Sequence, residues 1–356
     1  MRIVQVVTQM EAGGAQRVAL LLAGEMARRG HDVETWFLYL KRPGFVGAPG
    51  VRVLCPHPPG AVDYLRIAGT LVRRLRAHRA DAVITHTHYA NVLGQMAAVA
   101  CGVKRRLAVQ HNPLGTYPAA ARWADRLLGG IGAYTRNVAV SQAVIDSIPF
   151  RGRGYRRRLR RIHNGIPHPA ASQPRADARA RYGIPPDAPL LVNVGRLAAQ
   201  KDQAVLLRVL AELPGVHLAI AGEGELRGAL QAEARALGVD GRVHLAGELA
   251  WADGLSLVGA ADVFVLPSRF EAMPLALVEA MRMGVPIIAS DIPSVREVMG
   301  DAGVLVPCGD AGAIAEAVRG VLDSPETAGG LRERARVRSA RFSLEGMVDA
   351  YEAELR

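Results

Sequence analysis

Short apolar runs of strand length alternate with helix-length amphipathic patterns along most of the chain, and the series starts twice. The first has a strand at 3–7, a helix at 15–29, a strand at 32–40, a helix at 63–78, a strand at 82–85, a helix at 91–100, and strands at 106–110 and 137–141. The second opens with LLVNV at 190–194 and continues with a helix at 203–213, a strand at 217–221 and a helix at 226–237. Strands at 243–246 and 263–267, a helix at 275–282, and strands at 286–290 and 303–306 complete it. Parallel strands need long crossover connections, and a helix in each crossover covers the sheet. An α/β chain of two doubly wound, Rossmann-like domains is therefore predicted. Between the series, HNGIPHPAASQPRADARARYGIPPDAP at 163–189 is dense in Pro, Asn and Gly, as linkers are. The predicted domains are 1–167 and 168–340. At 356 residues the chain can bury two cores, and the halves share no short period of the kind that marks a solenoid.

The formal charge of +11 is unevenly spread. Residues 1–168 carry 25 Lys or Arg against 8 Asp or Glu, a balance of +17, and residues 169–356 carry 19 against 25, a balance of −6. One domain alone is expected to meet an anionic surface or substrate. Arg151, Arg153, Arg156, Arg157, Arg158, Arg160 and Arg161 cluster as in a nucleic-acid binder, but Tyr155 is the one aromatic among them and no nucleic-acid motif accompanies them, so no nucleic acid is expected as partner. Cys55, Cys101 and Cys308 are far apart without a CxxC, which indicates neither a disulfide framework nor a zinc site and suits a reducing cytosol. MRIVQVVTQM at the start reads as a strand, too short for a signal-peptide core. The longest stretch free of Asp, Glu, Lys and Arg, 82–103, is interrupted by His86, His88, Asn91 and Gln95, so no transmembrane helix is expected. A cytoplasmic location follows.

In open parallel sheets ligands gather at the carboxyl ends of the strands, and three motifs fall there. In EAGGAQR at 11–17, Gly13 and Gly14 let the backbone approach a ligand and the helix start favours an anion; a plain strand-to-helix turn reads the same. In GRLAAQKD at 195–202, Arg196 can grip phosphate oxygens bidentately and Lys201 adds a second positive charge; two solvated surface cations are the alternative. In PSRFEAMPLALVEAMRMGVPIIASD, Glu271 and Glu279 are separated by seven residues, while Met273, Pro274 and Leu275 open a helix whose N–H groups suit an anion. One carboxylate can accept from a ribose and the other from a sugar; helix capping and a solvated helix face are the alternatives.

In this order, GGAQR, HTH, QHN, HNGI, GRLAAQKD, AGEGEL, VHLAGE, the glutamate segment, SDIPSVREV and GVLVP resemble the GT-B glycosyltransferases, in particular the large retaining family known as family four, whose signature is E-x7-E. The resemblance spans essentially the whole chain. It implies two Rossmann-like domains facing a central cleft, with 341–356 as a C-terminal helix returning to the first. It places Gly13 and Gly14 beside the diphosphate of a nucleotide-sugar donor, Arg196 and Lys201 on that diphosphate, Glu279 on the ribose and Glu271 on hydroxyls of the donor sugar. It places the turn Met273, Pro274 and Leu275 on the diphosphate through backbone N–H groups, and the base near Gly222, Glu223, Gly224, Val243 and Leu245. His111 in QHN matches the histidine that reaches the transferring sugar, and His88, with His86 before it, is a candidate for acceptor contact. Ala272 and Ser294 stand where many relatives have Gly.

Departure of a diphosphate needs fixed positive charge, which Arg196 and Lys201 supply; with Glu271 and His111, which the resemblance places on the sugar, they form the expected catalytic set. No Asp-x-Asp occurs, so neither a metal nor a cofactor is expected. The resemblance implies retention of configuration and a UDP-sugar ahead of a GDP-sugar as donor; the charge asymmetry points to a cell-envelope glycan or lipid-linked molecule as acceptor. A sugar-nucleotide epimerase of similar fold, which has no acceptor, is the competing reading. Peripheral attachment to an anionic membrane is also expected, through a stretch at 63–79 where Leu65, Ala68, Leu71, Val72 and Leu75 share a helix face beside Arg66, Arg73, Arg74, Arg76 and Arg79.

Overall fold

The computed structural model describes residues 1–11, 13–149, 152–168 and 173–356. Contacts divide the chain into two units, Met1–Ile166 with Phe342–Arg356, and Pro167–Arg341. In the first, β1 (Arg2–Met10), β2 (Asp32–Leu40), β3 (Val51–Val53), β4 (Ala82–His86), β5 (Arg105–Gln110), β6 (Arg136–Ala139) and β7 (Leu159–Arg161) form one sheet in the order β3-β2-β1-β4-β5-β6-β7. In the second, β8 (Leu190–Val194), β9 (His217–Ala221), β10 (Val243–Gly247), β11 (Val263–Leu266), β12 (Ile287–Ser290) and β13 (Val304–Val306) lie in the order β10-β9-β8-β11-β12-β13. Every strand pair is parallel. Each sheet grows outward in both directions from its first strand. The loops therefore part between β1 and β4 and between β8 and β11, where such sheets bind ligands.

Alternation along the strands decides which helix covers which face. Val4, Val6, Trp36 and Leu38 meet the helices Ala61–His78 and His88–Ala100 on one side of the first sheet. Val7 and Phe37, one residue out of phase, meet Ala19 of the helix Gly14–Arg28 on the other. In the second unit Leu206, Leu210, Ile314 and Val318 pack on Leu191, Leu218, Ile220, Val263 and Val265. Each fully buried side chain of this kind contributes about 1.5–3 kcal/mol.

The helix Ala61–His78 overturns one expectation. Ile67, Leu71 and Leu75, spaced four apart, are its buried stripe and pack into the core beneath Trp36. Leu71 and Leu75 are thus unavailable to a bilayer. Leu65 lies two residues before Ile67, about 200° around the helix, and is 75% exposed. Ala68 and Val72 are half-buried beside the stripe.

Several elements lie outside the alternation read from sequence: the short edge strands β3 and β7 and the helices Ala119–Ile131, Trp251–Gly259, Ala311–Leu322 and Pro325–Ser339. The last helix, Leu344–Leu355, belongs to the first unit. It buries Met347, Val348 and Tyr351, and Arg29 and His31 reach its Glu352 at 3.3 and 3.1 Å. Among the described residues, no helix is long and apolar enough to cross a membrane.

Candidate active site

The second unit assembles its site at the fork between β8 and β11. After β8 the chain turns through Gly195 and Arg196 into a 3-10 turn at Ala199–Lys201. Two buried amides fix that path: Asn193 donates to the Val265 carbonyl of β11 at 2.8 Å, and Gln203 donates to the Arg196 carbonyl at 3.0 Å. From the far side, Arg269 N–H donates to the Gln200 carbonyl at 2.9 Å and Gln200 donates to the Phe270 carbonyl at 2.8 Å. Thus clamped, the loops bring Lys201 Nζ to 2.5 Å from Glu271 Oε1, which also accepts from the Ser268 hydroxyl at 2.7 Å. Arg196 is exposed, and among the described residues no carboxylate pairs with its guanidinium. Eight residues beyond Glu271, Glu279 is buried in the helix Leu275–Arg282 and accepts from the Trp251 indole at 3.2 Å. That helix starts after Pro274 with no side-chain cap, so its first N–H groups are open to an anion.

Neighbouring loops are tied to this fork by main-chain bonds. Gly195 N–H donates to Ala221, Leu197 N–H to Glu223, and Gly222 N–H to Gly247, at 2.9, 3.0 and 2.7 Å. The strands come so close that a Cβ on Gly222 would stand 2.1 Å from the Gly195 carbonyl oxygen, and one on Gly224 2.2 Å from that of Leu197. These glycines are explained by loop-to-loop contact before any base is considered. Glu223 is held by Arg227 at 2.6 Å. Val243 departs from its expected role, because it opens β10 at the amino end, four residues from the ligand edge, and packs against the core. Leu245 in mid-strand does the same; Gly247 is the residue of β10 at the ligand edge. Ala272, Met273 and Ser294 are buried, and Leu275 is half-buried.

In the first unit the loops at the β1/β4 fork carry the expected histidines. His86, fully buried at the end of β4, donates from Nε2 to Gln5 Oε1 at 2.7 Å, and Gln5 is oriented by its own bond to the Ala19 carbonyl at 3.0 Å. Burial drives the His86 imidazole well below its ordinary pKa, with the neighbouring His111 adding to the effect. Burial lowers His111 to about 4, so both rings are neutral at pH 7. With its one proton on Nε2, His86 accepts at Nδ1 from His111 Nε2, 2.9 Å away. His111 is thereby fixed with its lone pair on Nδ1. His88 follows Thr87, whose φ of 70° and ψ of 161° are strained for a β-branched residue. Its ring lies between Tyr89 and Tyr117, centroids 4.1 and 4.8 Å away, and its buried Nε2 has no partner among the described residues. Gly13 precedes the helix Gly14–Arg28 in extended conformation, again without a side-chain cap; Ala12 of the same motif lies outside the described residues. Glu11 pairs with Lys41 at 2.9 Å. Among the described residues, no group of three or more His, Cys, Asp or Glu side chains is placed to hold a metal ion.

The model of Glycosyl transferases group 1 matches residues 174–338, and that of Glycosyltransferase Family 4 matches residues 12–168. The D-inositol 3-phosphate glycosyltransferase of Xylanimonas cellulosilytica is 30% identical over 385 residues, which cover 96% of this chain and 92% of that protein. The chain belongs to the group 1 glycosyltransferases. The lipopolysaccharide core biosynthesis glycosyltransferase LpsE of Rhizobium meliloti is 33% identical over 202 residues, 56% of this chain and 58% of that protein, so the match spans little more than half of either. HepE of Anabaena, solved in complex with UDP and glucose, superposes with a TM-score of 0.84 at 20% identity over 99% of both chains, a likeness of fold. That fold is GT-B, two Rossmann-like units with parallel sheets.

In this group 1 glycosyltransferase the motifs name the ionic groups but miss their supports. Asn193 and Gln203 are read from sequence only as a strand and a helix residue, and Ser268 and Trp251 are given no role, yet each fixes a backbone or carboxylate of the site. A buried amide inside an otherwise apolar strand, as Asn193 is in LLVNV, is the signal that was available.

Proposed function

We propose that the protein transfers a sugar from a nucleoside diphosphate sugar to an acceptor, with retention of configuration and without a metal ion. The observation that carries this reading is the Lys201–Glu271–Ser268 cluster at the β8/β11 fork, beside exposed Arg196 and an uncapped helix start. Arg196 and Lys201 on one loop and the N–H groups of that helix start are the groups suited to a diphosphate, and the two carboxylates are suited to hydroxyls.

Breaking the bond from the anomeric carbon to the diphosphate leaves negative charge on the leaving group. Arg196, Lys201 and the N–H groups at Leu275 stabilise that charge in place, with no reorganisation needed as it develops. Glu271 is held by Lys201 and Ser268 in one orientation, suited to accept from a hydroxyl of the donor sugar. Glu279, steadied by the Trp251 indole, is suited to the ribose. His111 offers a neutral Nδ1 acceptor to a sugar hydroxyl. Gly222, Glu223 and Gly224 border the expected base position. Gly13 and Gly14 offer open N–H groups to the diphosphate, and His88 is the acceptor-side candidate. UDP is the favoured nucleotide, supported by the UDP complex of HepE, with GDP next. A cell-envelope glycan or lipid-linked acceptor is supported by the lipopolysaccharide role in the name of LpsE, and transfer is placed in the cytoplasm, at a membrane face.

The deciding experiment screens UDP- and GDP-sugars for thermal stabilisation, since a bound donor raises the melting temperature by mass action. It then follows product with and without acceptor. Stabilisation by a nucleotide sugar with acceptor-dependent product of unchanged anomeric configuration is expected. Isomerisation of the donor without acceptor would instead establish the epimerase.

A further inference from the structure

We propose that the outer face of the helix Ala119–Ile131 is a docking surface for an anionic phospholipid membrane, with Trp123, Leu127 and Ile131 entering the boundary between headgroups and acyl chains. The three are spaced four residues apart, form one stripe, and are 66%, 63% and 70% exposed. Buried contacts fix that stripe outward. On the opposite face Asp125 accepts from Gln110 at 2.8 Å and from the Tyr155 hydroxyl at 2.6 Å. The Tyr155 ring also lies where a Cβ on Gly129 would stand, 2.4 Å from its Cε2. Rolling the helix to hide the stripe would drag Asp125 out of its hydrogen bonds and push the ring off Gly129.

Charge decides the occupant. Arg122 and Arg126 are exposed on the same helix, and the Arg126 guanidinium lies 5.1 Å over the Trp123 ring. The neighbouring helix Arg153–Arg158, locked on by Tyr155, exposes Arg153, Arg156 and Arg157. Of the rest of the arginine cluster, Arg158 donates to the Gly154 carbonyl, Arg160 pairs with Glu354 and Arg161 reaches Gln142; Arg151 lies outside the described residues. Between residues 82 and 145 the sole acid is Asp125, which is buried. A second copy seated by two-fold symmetry would set Arg122 and Arg126 against themselves with no carboxylate to answer them. A nucleic acid would answer the arginines and leave the stripe wet. An anionic bilayer satisfies both, as amphipathic interfacial helices do. The surface is also next to the acceptor-side residues: Tyr117, two residues before the helix, has its ring 4.8 Å from that of His88. The proposal leans on the function proposed above only in that a lipid-linked acceptor gives docking a purpose.

The full chain, without donor or acceptor, is sedimented with vesicles of phosphatidylcholine alone or mixed with phosphatidylglycerol. Binding should require phosphatidylglycerol and weaken as salt rises. Trp36 is buried and Trp251 is half-buried in the second unit against Glu279, so a blue shift of tryptophan emission on binding is assigned to Trp123 by the variant Trp123→Phe, which should still bind and lose most of the shift. Leu127→Ser with Ile131→Ser should weaken partitioning by about tenfold or more, and Arg122→Gln and Arg126→Gln by about fivefold each. These are surface positions, and unchanged melting temperatures will show that the variants fold. Binding indifferent to phosphatidylglycerol, binding unaffected by the Leu127 and Ile131 substitutions, or a dimer that those substitutions dissociate would each overturn the proposal. Vesicle binding by a protein that uses no nucleotide sugar would overturn the enzymatic reading and leave docking standing.

Discussion

Replacing Lys201 separates what its charge does for the fold from what it does for the donor. Lys201 Nζ lies 2.5 Å from Glu271 Oε1, with the side chains 19% and 8% exposed. Lys201→Ala leaves that carboxylate mostly buried, with the Ser268 hydroxyl still donating to it at 2.7 Å. Breaking a buried pair costs about 3–5 kcal/mol, and the Ser268 bond puts this case at the low end, about 3 kcal/mol. For a unit the size of Pro167–Arg341 that lowers the melting temperature by about 6–12 °C. Loss of a preorganised charge stabiliser separately lowers kcat/KM by about 10²–10³. Calorimetry with the free nucleoside diphosphate and scanning fluorimetry without ligand tell the two effects apart. Lys201→Met combined with Glu271→Gln removes both charges, so it should regain most of the stability and none of the nucleotide affinity, while Glu271→Gln alone should bind the free diphosphate at least as well as the parent. Recovery of nucleotide affinity together with stability in the double variant would refute the placement of the diphosphate.

Glu279→Ala should weaken binding of the free nucleoside diphosphate, whereas Glu271→Ala should chiefly reduce transfer; equal losses in calorimetry would contradict that division of roles. Buried His111, lowered to about 4, takes up its proton after the unfolded chain does. Its contribution to stability is therefore full above about pH 6.5, falls by about 2 kcal/mol by pH 5 and is lost toward pH 4; urea unfolding of His111→Asn should show a shallower decline over that window. Gly222→Ala drives a Cβ to 2.1 Å from the Gly195 oxygen and should cost about 3 kcal/mol or more, read as a lowered urea midpoint. Transfer should continue in excess chelator, since Arg196 and Lys201 supply the charge; loss restored by magnesium or manganese would contradict this.

What was legible in the sequence follows from which contacts are local. A strand buried on both faces, such as VFVL in β11, is a continuous apolar run and announces itself. The helix Ala119–Ile131 does not, because it starts after Pro118 without a side-chain cap and turns all its large apolar residues but Leu128 to the outside, which leaves no core-facing stripe to recognise. Leu65 and Leu71 looked alike on one helix until the sheet beneath chose Ile67, Leu71 and Leu75. Strand order is the larger gap. Lys201 and Glu271 are 70 residues apart, and they meet because β8 and β11 are neighbours, which no property of either segment alone dictates. Gly222 and Gly224 show the same limit from the other side. In sequence they fit equally well as room for a ligand or as room for another loop, and only the Gly195 and Leu197 carbonyls, brought within 2.1 and 2.2 Å of a would-be Cβ, decide that the loop claims the space first.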